Sequence, residues 1–191
     1  MFYYKKLVNR KKLIKFWVFF GNNYKNIFKS NFQNINILYT NYYFLDIKKL
    51  VLSLKNILPI FINMVKCKGN LLFVSTKFLY HQTIYKNHYF SIIKKLINVK
   101  SGIFTNFSVS SYKSFKQLDF KLNPSLAIFF SLKNNNTLLM ESKKKNIPII
   151  GLLTPNINSY LIEYPLFINS LYFYTIFFFH KFFFKIILLN K

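Results

Sequence analysis

Acid–base and nucleophilic chemistry need carboxylates, histidines or an activated thiol or hydroxyl held within reach of one another. This chain of 191 residues offers few of them. Its only carboxylates, Asp46, Asp119, Glu141 and Glu163, lie far apart in sequence and form no acid–base pair there. His81 and His88 could share one helix face, but no third His, Cys or carboxylate stands near them, and a zinc site takes at least three protein ligands. They read as exposed or core-edge histidines. Cys67 is the only cysteine, which excludes a disulfide framework. It reads as a small thiol, buried or half-exposed. Ser108, Ser110 and Ser111 lack a G-x-S-x-G context. Gly21, Gly69, Gly102 and Gly151 are isolated, with no G-x-G-x-x-G or Walker loop to let a backbone approach a pyrophosphate closely. No catalytic residue, metal or cofactor is expected, and the chain does not read as an enzyme.

The chemistry that remains is ionic. Lys and Arg number 28 against 4 Asp and Glu, a formal charge of +24. Lys5, Lys6, Lys11, Lys12, Lys94, Lys95, Lys100, Lys113, Lys116, Lys121, Lys143, Lys144 and Lys145 spread this charge over the whole length. Part of the excess is genomic: Lys, Asn, Ile, Phe and Tyr, all with A- and T-rich codons, make up more than half of the chain, as in an organelle's AT-rich genome. Such drift supplies lysine but does not remove acids. A free chain of this charge repels itself, so a polyanion is expected to neutralise it, either nucleic acid or an anionic membrane. Phe104, Phe107, Tyr112 and Phe115 lie among the lysines and could stack on bases, although such aromatics more often belong to a core.

A membrane anchor would use residues 166–189. Their apolar run, 171–179, is interrupted by His180, Lys181 and Lys185, and a lysine at the bilayer centre costs at least about 2.5–3.5 kcal/mol. The segment reads instead as a packed amphipathic helix, with the anchor as the alternative. Residues 1–20 alternate basic pairs with aromatics. They lack the apolar stretch and small-residue cleavage site of a secretory signal, and the Ser and Arg enrichment of an imported presequence. If the chain works in an organelle, it is expected to be made there.

At 52 % hydrophobic the chain is too apolar for disorder, and its length suits one domain. Residues 1–35 read as a basic, aromatic arm with one short helix, and 36–191 as a single α/β domain ending in a helix. Residues 35–39 alternate as a short strand. Asp46 is placed to cap a helix over 47–65, where Ile47, Leu50, Val51, Leu54, Ile57, Leu58, Phe61, Ile62 and Val65 follow the spacing of one face. Pro59 is expected to kink or end it. Apolar runs at 71–75, 92–99, 126–131 and 147–153 read as strands. Helical segments are expected at about 77–88, 136–145 and from about 169 onward. This alternation predicts an α/β fold with a parallel sheet and helices on both faces.

The order of the motifs resembles the universal S-two family of small-subunit ribosomal proteins. The family's early Phe-Gly is similar to Phe20-Gly21. Its Gly-Lys-Ile-Leu-Phe-Val-Gly-Thr-Lys resembles Gly69-Asn70-Leu71-Leu72-Phe73-Val74-Ser75-Thr76-Lys77. Its Gly-Gly-x-Leu-Thr-Asn-Trp resembles Ser101-Gly102-Ile103-Phe104-Thr105-Asn106-Phe107. Its Pro-Asp-Ala-Leu-Phe-Val strand is similar to residues 124–129. Its Gly-Ile-Pro-Val followed by Asp-Thr-Asn resembles Asn146-Ile147-Pro148-Ile149 followed by Thr154-Pro155-Asn156. The later Asp-Tyr-Pro-Ile and Pro-Gly-Asn resemble Glu163-Tyr164-Pro165-Leu166 and Asn169. The family's Arg-Trp is replaced by Asn98-Val99, and its long helical hairpin has little room between Phe107 and Asn123, so that insertion is expected to be lost.

The resemblance implies a Rossmann-like, flavodoxin-like sheet without nucleotide chemistry. It also implies a structural role at the head–body junction of an organellar small ribosomal subunit, in the mitochondrial matrix or alternatively a relic plastid. The implied partners are small-subunit rRNA and neighbouring ribosomal proteins, lineage-specific ones among them, with no membrane span. Lys77, Lys100, Thr105 and Asn106 are the implied rRNA contacts. Lys11 and Lys12 of the arm, with Lys143 and Lys144, are peripheral ones.

Overall fold

The computed structural model describes residues 13, 18–22, 27–38, 42–74, 93–96, 104, 124–130, 132, 136–170 and 172–190. Helix α1 (Ile47–Lys66) starts from Asp46, whose carboxylate accepts the Lys48 and Lys49 N–H groups at 2.8 and 3.4 Å. Those are donors that a first helical turn leaves without partners. Of the stripe that the spacing predicts, Leu50, Leu54, Ile57, Leu58, Phe61 and Val65 are buried, whereas Ile47, Val51 and Ile62 are half-buried at its margins. Asp46→Ala is expected to lower stability by about 0.5–2 kcal/mol. A thermal melt unchanged from the parent would remove the cap from the account of α1.

Pro59 does not end the helix, which runs through it. A proline frees the carbonyl four residues back, here that of Lys55. Both residues are exposed, so that carbonyl lies on the solvent side while the buried stripe holds the helix together. Cys67 follows as the C-cap, and its thiol is exposed rather than buried or half-exposed. The turn out of the helix is made by Lys68 at φ 53°, with the Gly69 N–H donating to the Met64 carbonyl at 2.9 Å.

The apolar runs become β4 (Leu71–Val74), β5 (Ile93–Leu96), β6 (Leu126–Phe129) and β7 (Ile149–Leu153). With β8 (Tyr164–Phe167) they form a five-stranded sheet in the order β5-β4-β6-β7-β8, every pairing parallel. The fold is α/β. Strands β4, β6 and β7 are buried along their whole length, as a sheet covered on both faces requires. Their alternate residues feed two cores. Leu71, Phe73, Ile128 and Leu152 pack with α1 and with α3 (Phe173–Leu189), whereas Leu72, Val74, Phe129 and Leu153 pack with α2 (Asn136–Lys144).

Strand β8 is not among the apolar runs of the sequence. Pro165 lacks the N–H of a ladder donor, which a sheet tolerates at its edge, and β8 is the edge. Residues 166–189, the alternative anchor, divide between β8 and α3. Helix α3 buries Ile176, Phe179, Phe183, Ile186 and Ile187 in the first core and exposes Lys181 and Lys185. Among the described residues no helix is long and apolar enough to cross a membrane.

A second sheet is antiparallel: β1 (Phe20–Asn22), β2 (Ile35–Leu38) and β3 (Tyr42–Leu45) in the order β1-β3-β2. The arm's expected limit at residue 35 therefore falls inside this sheet, since β1 and a 3-10 turn (Lys29–Asn34) precede it. Strand β2 exposes Asn36, Ile37 and Leu38 consecutively instead of alternating. Gly21 lies flat on the Tyr43 ring, and a Cβ there would come within 1.9 Å of it. The helix expected at 77–88 and most of the interval where the hairpin insertion would sit lie outside the described residues.

Candidate nucleic-acid interface

The second sheet is fastened to the segment 154–163, which connects β7 to β8. Asn31, 1 % exposed, donates from Nδ2 to the Pro155 and Ile157 carbonyls at 2.9 Å each, and its Oδ1 accepts the Ser159 hydroxyl at 3.1 Å. The Phe28 N–H donates to the Pro155 carbonyl at 3.2 Å. The Tyr43 hydroxyl donates to Asn156 Oδ1 at 3.3 Å. Burial pushes the pKa of that hydroxyl up to about 12, so it keeps its proton at neutral pH. The Asn169 N–H donates to the Val18 carbonyl at 3.0 Å, and its side-chain amide to the Phe20 carbonyl. Phe20, Gly21, Asn156 and Asn169, spread widely along the sequence, thus meet at the C-terminal ends of β7 and β8. Their contacts are architectural.

The described carboxylates are occupied in a similar way. Asp46 caps α1. Glu141, 8 % exposed, accepts the Phe104 N–H through Oε2 at 2.9 Å. Glu163 accepts the Ile149 N–H through Oε2 at 3.0 Å. Asp119 lies outside the described residues. Each of these three acids supplies an acceptor that a backbone donor needs. Removing the Glu141 acceptor leaves a buried donor unmade, which costs about 1–3 kcal/mol. Glu141→Ala is therefore expected to lower the denaturant midpoint by a corresponding amount, and an unchanged midpoint would show that the donor finds another partner. Phe104 itself is buried in the second core, so it packs rather than offering a face to a base. Phe107, Tyr112 and Phe115 lie outside the described residues.

By contrast, every lysine whose side chain is described is exposed. Lys48, Lys49, Lys55 and Lys66 ride on α1 and Lys181 and Lys185 on α3, the two helices that cover one face of the parallel sheet. Lys143 and Lys144 end α2 on the opposite face, and Lys145 follows. Lysines at a helix C-terminus also favour the helix dipole, which accounts for part of their placement there. Chemically these groups are point charges suited to phosphate, and they carry no base readout.

Of the expected contacts, the structure places Lys143 and Lys144 side by side on the last turn of α2. Lys11, Lys12, Lys77, Lys100, Thr105 and Asn106 lie outside the described residues. Two residues were missed by sequence reasoning. Asn31 sits in a segment with no periodic signal, one asparagine among many. Tyr160, 79 % exposed, lies in a loop, with Lys143 Nζ 4.5 Å from its ring centroid; only the fold brings the two together. Compared with known proteins, the chain matches no family model and no curated protein.

Proposed function

We propose that the chain is a structural constituent of an organellar small ribosomal subunit, binding small-subunit rRNA through dispersed lysines at the head–body junction. The observation that carries this reading is the contrast between acids and bases. Among the described residues the carboxylates each serve a backbone N–H, while the lysines face outward on both sides of the sheet. Codon drift explains added lysine, but not the scarcity of acids, of which each described one meets a backbone donor. A folded polyanion touched at many points explains both, because folded RNA is recognised by shape and backbone.

The fold lends support through its strand order. Counted along the chain, the parallel sheet reads 2-1-3-4-5, the flavodoxin-like variant of the Rossmann arrangement. The motif carried by Gly69 to Val74 leads into the first of these strands, and residues 124–129 lead into and include the third. The fold would act here as a scaffold, without glycine loops and without catalysis. Its neighbours would be other small-subunit proteins, lineage-specific ones included, and its compartment the mitochondrial matrix or a relic plastid.

Sedimentation of an organellar lysate tests the reading. The chain is expected to travel with the small subunit and to leave it when the rRNA is digested. Recovery only in ribosome-free fractions would refute it. Retention in the carbonate-washed membrane pellet without ribosomes would favour an anchor at residues 166–189 instead.

A further inference from the structure

We propose that Tyr160, with Lys143, Lys144 and Lys145, forms a stacking site for an unpaired RNA base. The proposal rests on the rRNA-binding reading and assigns it a site and a ligand class. Tyr160 is the most exposed of the described large hydrophobic side chains, at 79 %. An aromatic ring left in water on a loop normally folds down onto apolar surface, but this loop is held in place. The Tyr160 N–H donates to Asn158 Oδ1 at 3.0 Å, and the Ile162 N–H donates to the Ser159 carbonyl at 3.0 Å. The buried Asn31 side chain grips Pro155, Ile157 and Ser159 from beneath. The ring is thus presented by a fixed backbone, so little order has to be gained when a flat ligand arrives.

The Lys143 ammonium lies 4.5 Å over the ring centroid, close enough for a cation–π contact. It occupies one face, and a side chain this exposed keeps ring surface open to a planar partner. Lys144 and Lys145 follow it in sequence and are exposed, which leaves their charges available to the phosphates flanking a stacked base. The two carboxylates nearest along the chain, Glu141 and Glu163, accept the Phe104 and Ile149 N–H groups, so the acids beside the three lysines in sequence are engaged with the backbone. An aromatic platform with adjacent cations is how single-stranded nucleic acid is held without sequence preference. A duplex cannot use it, because its bases are already stacked.

The test uses the full chain with two probes: an unstructured oligoribonucleotide of about 12 nucleotides and a duplex of the same length. Tyr160→Ala is expected to weaken binding of the single strand by about tenfold or more. Tyr160→Phe should retain it, and duplex binding should stay unchanged in both variants. The side chain is exposed, so the variants should melt with the parent. If Tyr160→Ala leaves single-strand affinity unchanged while the parent binds, the stacking site is refuted and the rRNA reading survives. Equal loss in Tyr160→Phe would also refute stacking, since it would point to the hydroxyl. Failure of the parent to bind either probe would remove the rRNA reading and this site with it. Photocrosslinking of the loop within the ribosome to protein rather than RNA would likewise overturn the proposal.

Discussion

Raising the salt from about 50 to about 200 mM is expected to weaken binding of the chain to small-subunit rRNA by about a thousandfold. An effect of this size follows when about six or more lysines each displace a counterion from phosphate. The chain has the means. Its formal charge is +24, its described lysines are all exposed, and the described acids are engaged with backbone donors. The lysines lie over both faces of the sheet, so no single substitution should abolish binding. Lys143→Ala together with Lys144→Ala should flatten the salt slope by about one to two units and weaken all sequences alike. A binding constant that hardly responds to salt would contradict the electrostatic account, because then the charge would not be what holds the RNA.

The second large effect concerns stability. Phe183→Ala is expected to cost about 3–5 kcal/mol, a large part of the roughly 5–15 kcal/mol by which a domain is folded. Phe183 is fully buried in the first core. Its ring meets Phe61 of α1 edge-on, with centroids 5.0 Å apart, and lies 6.3 Å from Phe130 at the end of β6. The residue therefore joins the last helix to the first and to the sheet, and a small side chain leaves a cavity that three elements cannot close together. A fall in melting temperature of about 10 °C or more should follow. A loss under about 1 kcal/mol would mean that α3 is not packed on the sheet, which would reopen the anchor reading of residues 166–189.

The sequence revealed most where the signal was local. The spacing of apolar residues in α1 and the acid before it marked both the helix and its start. The continuous apolar runs at β4, β6 and β7 have the length of strands covered on both sides. What it hid was non-local or contrary to propensity. Strand β8 carries Pro165, β1 is three residues long, and β3 is an unbroken Tyr-Tyr-Phe-Leu run; each is fixed by its partner strand rather than by its own pattern. The helix end that Pro59 suggested does not occur, because the cost of a proline depends on whether the freed carbonyl meets water. In the candidate interface, lysine content was legible but grouping was not. Lys143 and Tyr160 are separated by β7 and meet only because the connection to β8 folds back over α2. Asn31 looked like one more asparagine of an AT-rich gene, yet it holds the loop that presents Tyr160.

A density map of the organellar small subunit tests the central claim most directly. The expected result is a five-stranded parallel sheet with α1 and α3 on one face and α2 on the other, seated at the head–body junction with Lys143, Lys144 and Lys145 against rRNA. A map in which every protein density at that junction is accounted for by other chains, with this chain abundant elsewhere in the organelle, would contradict it.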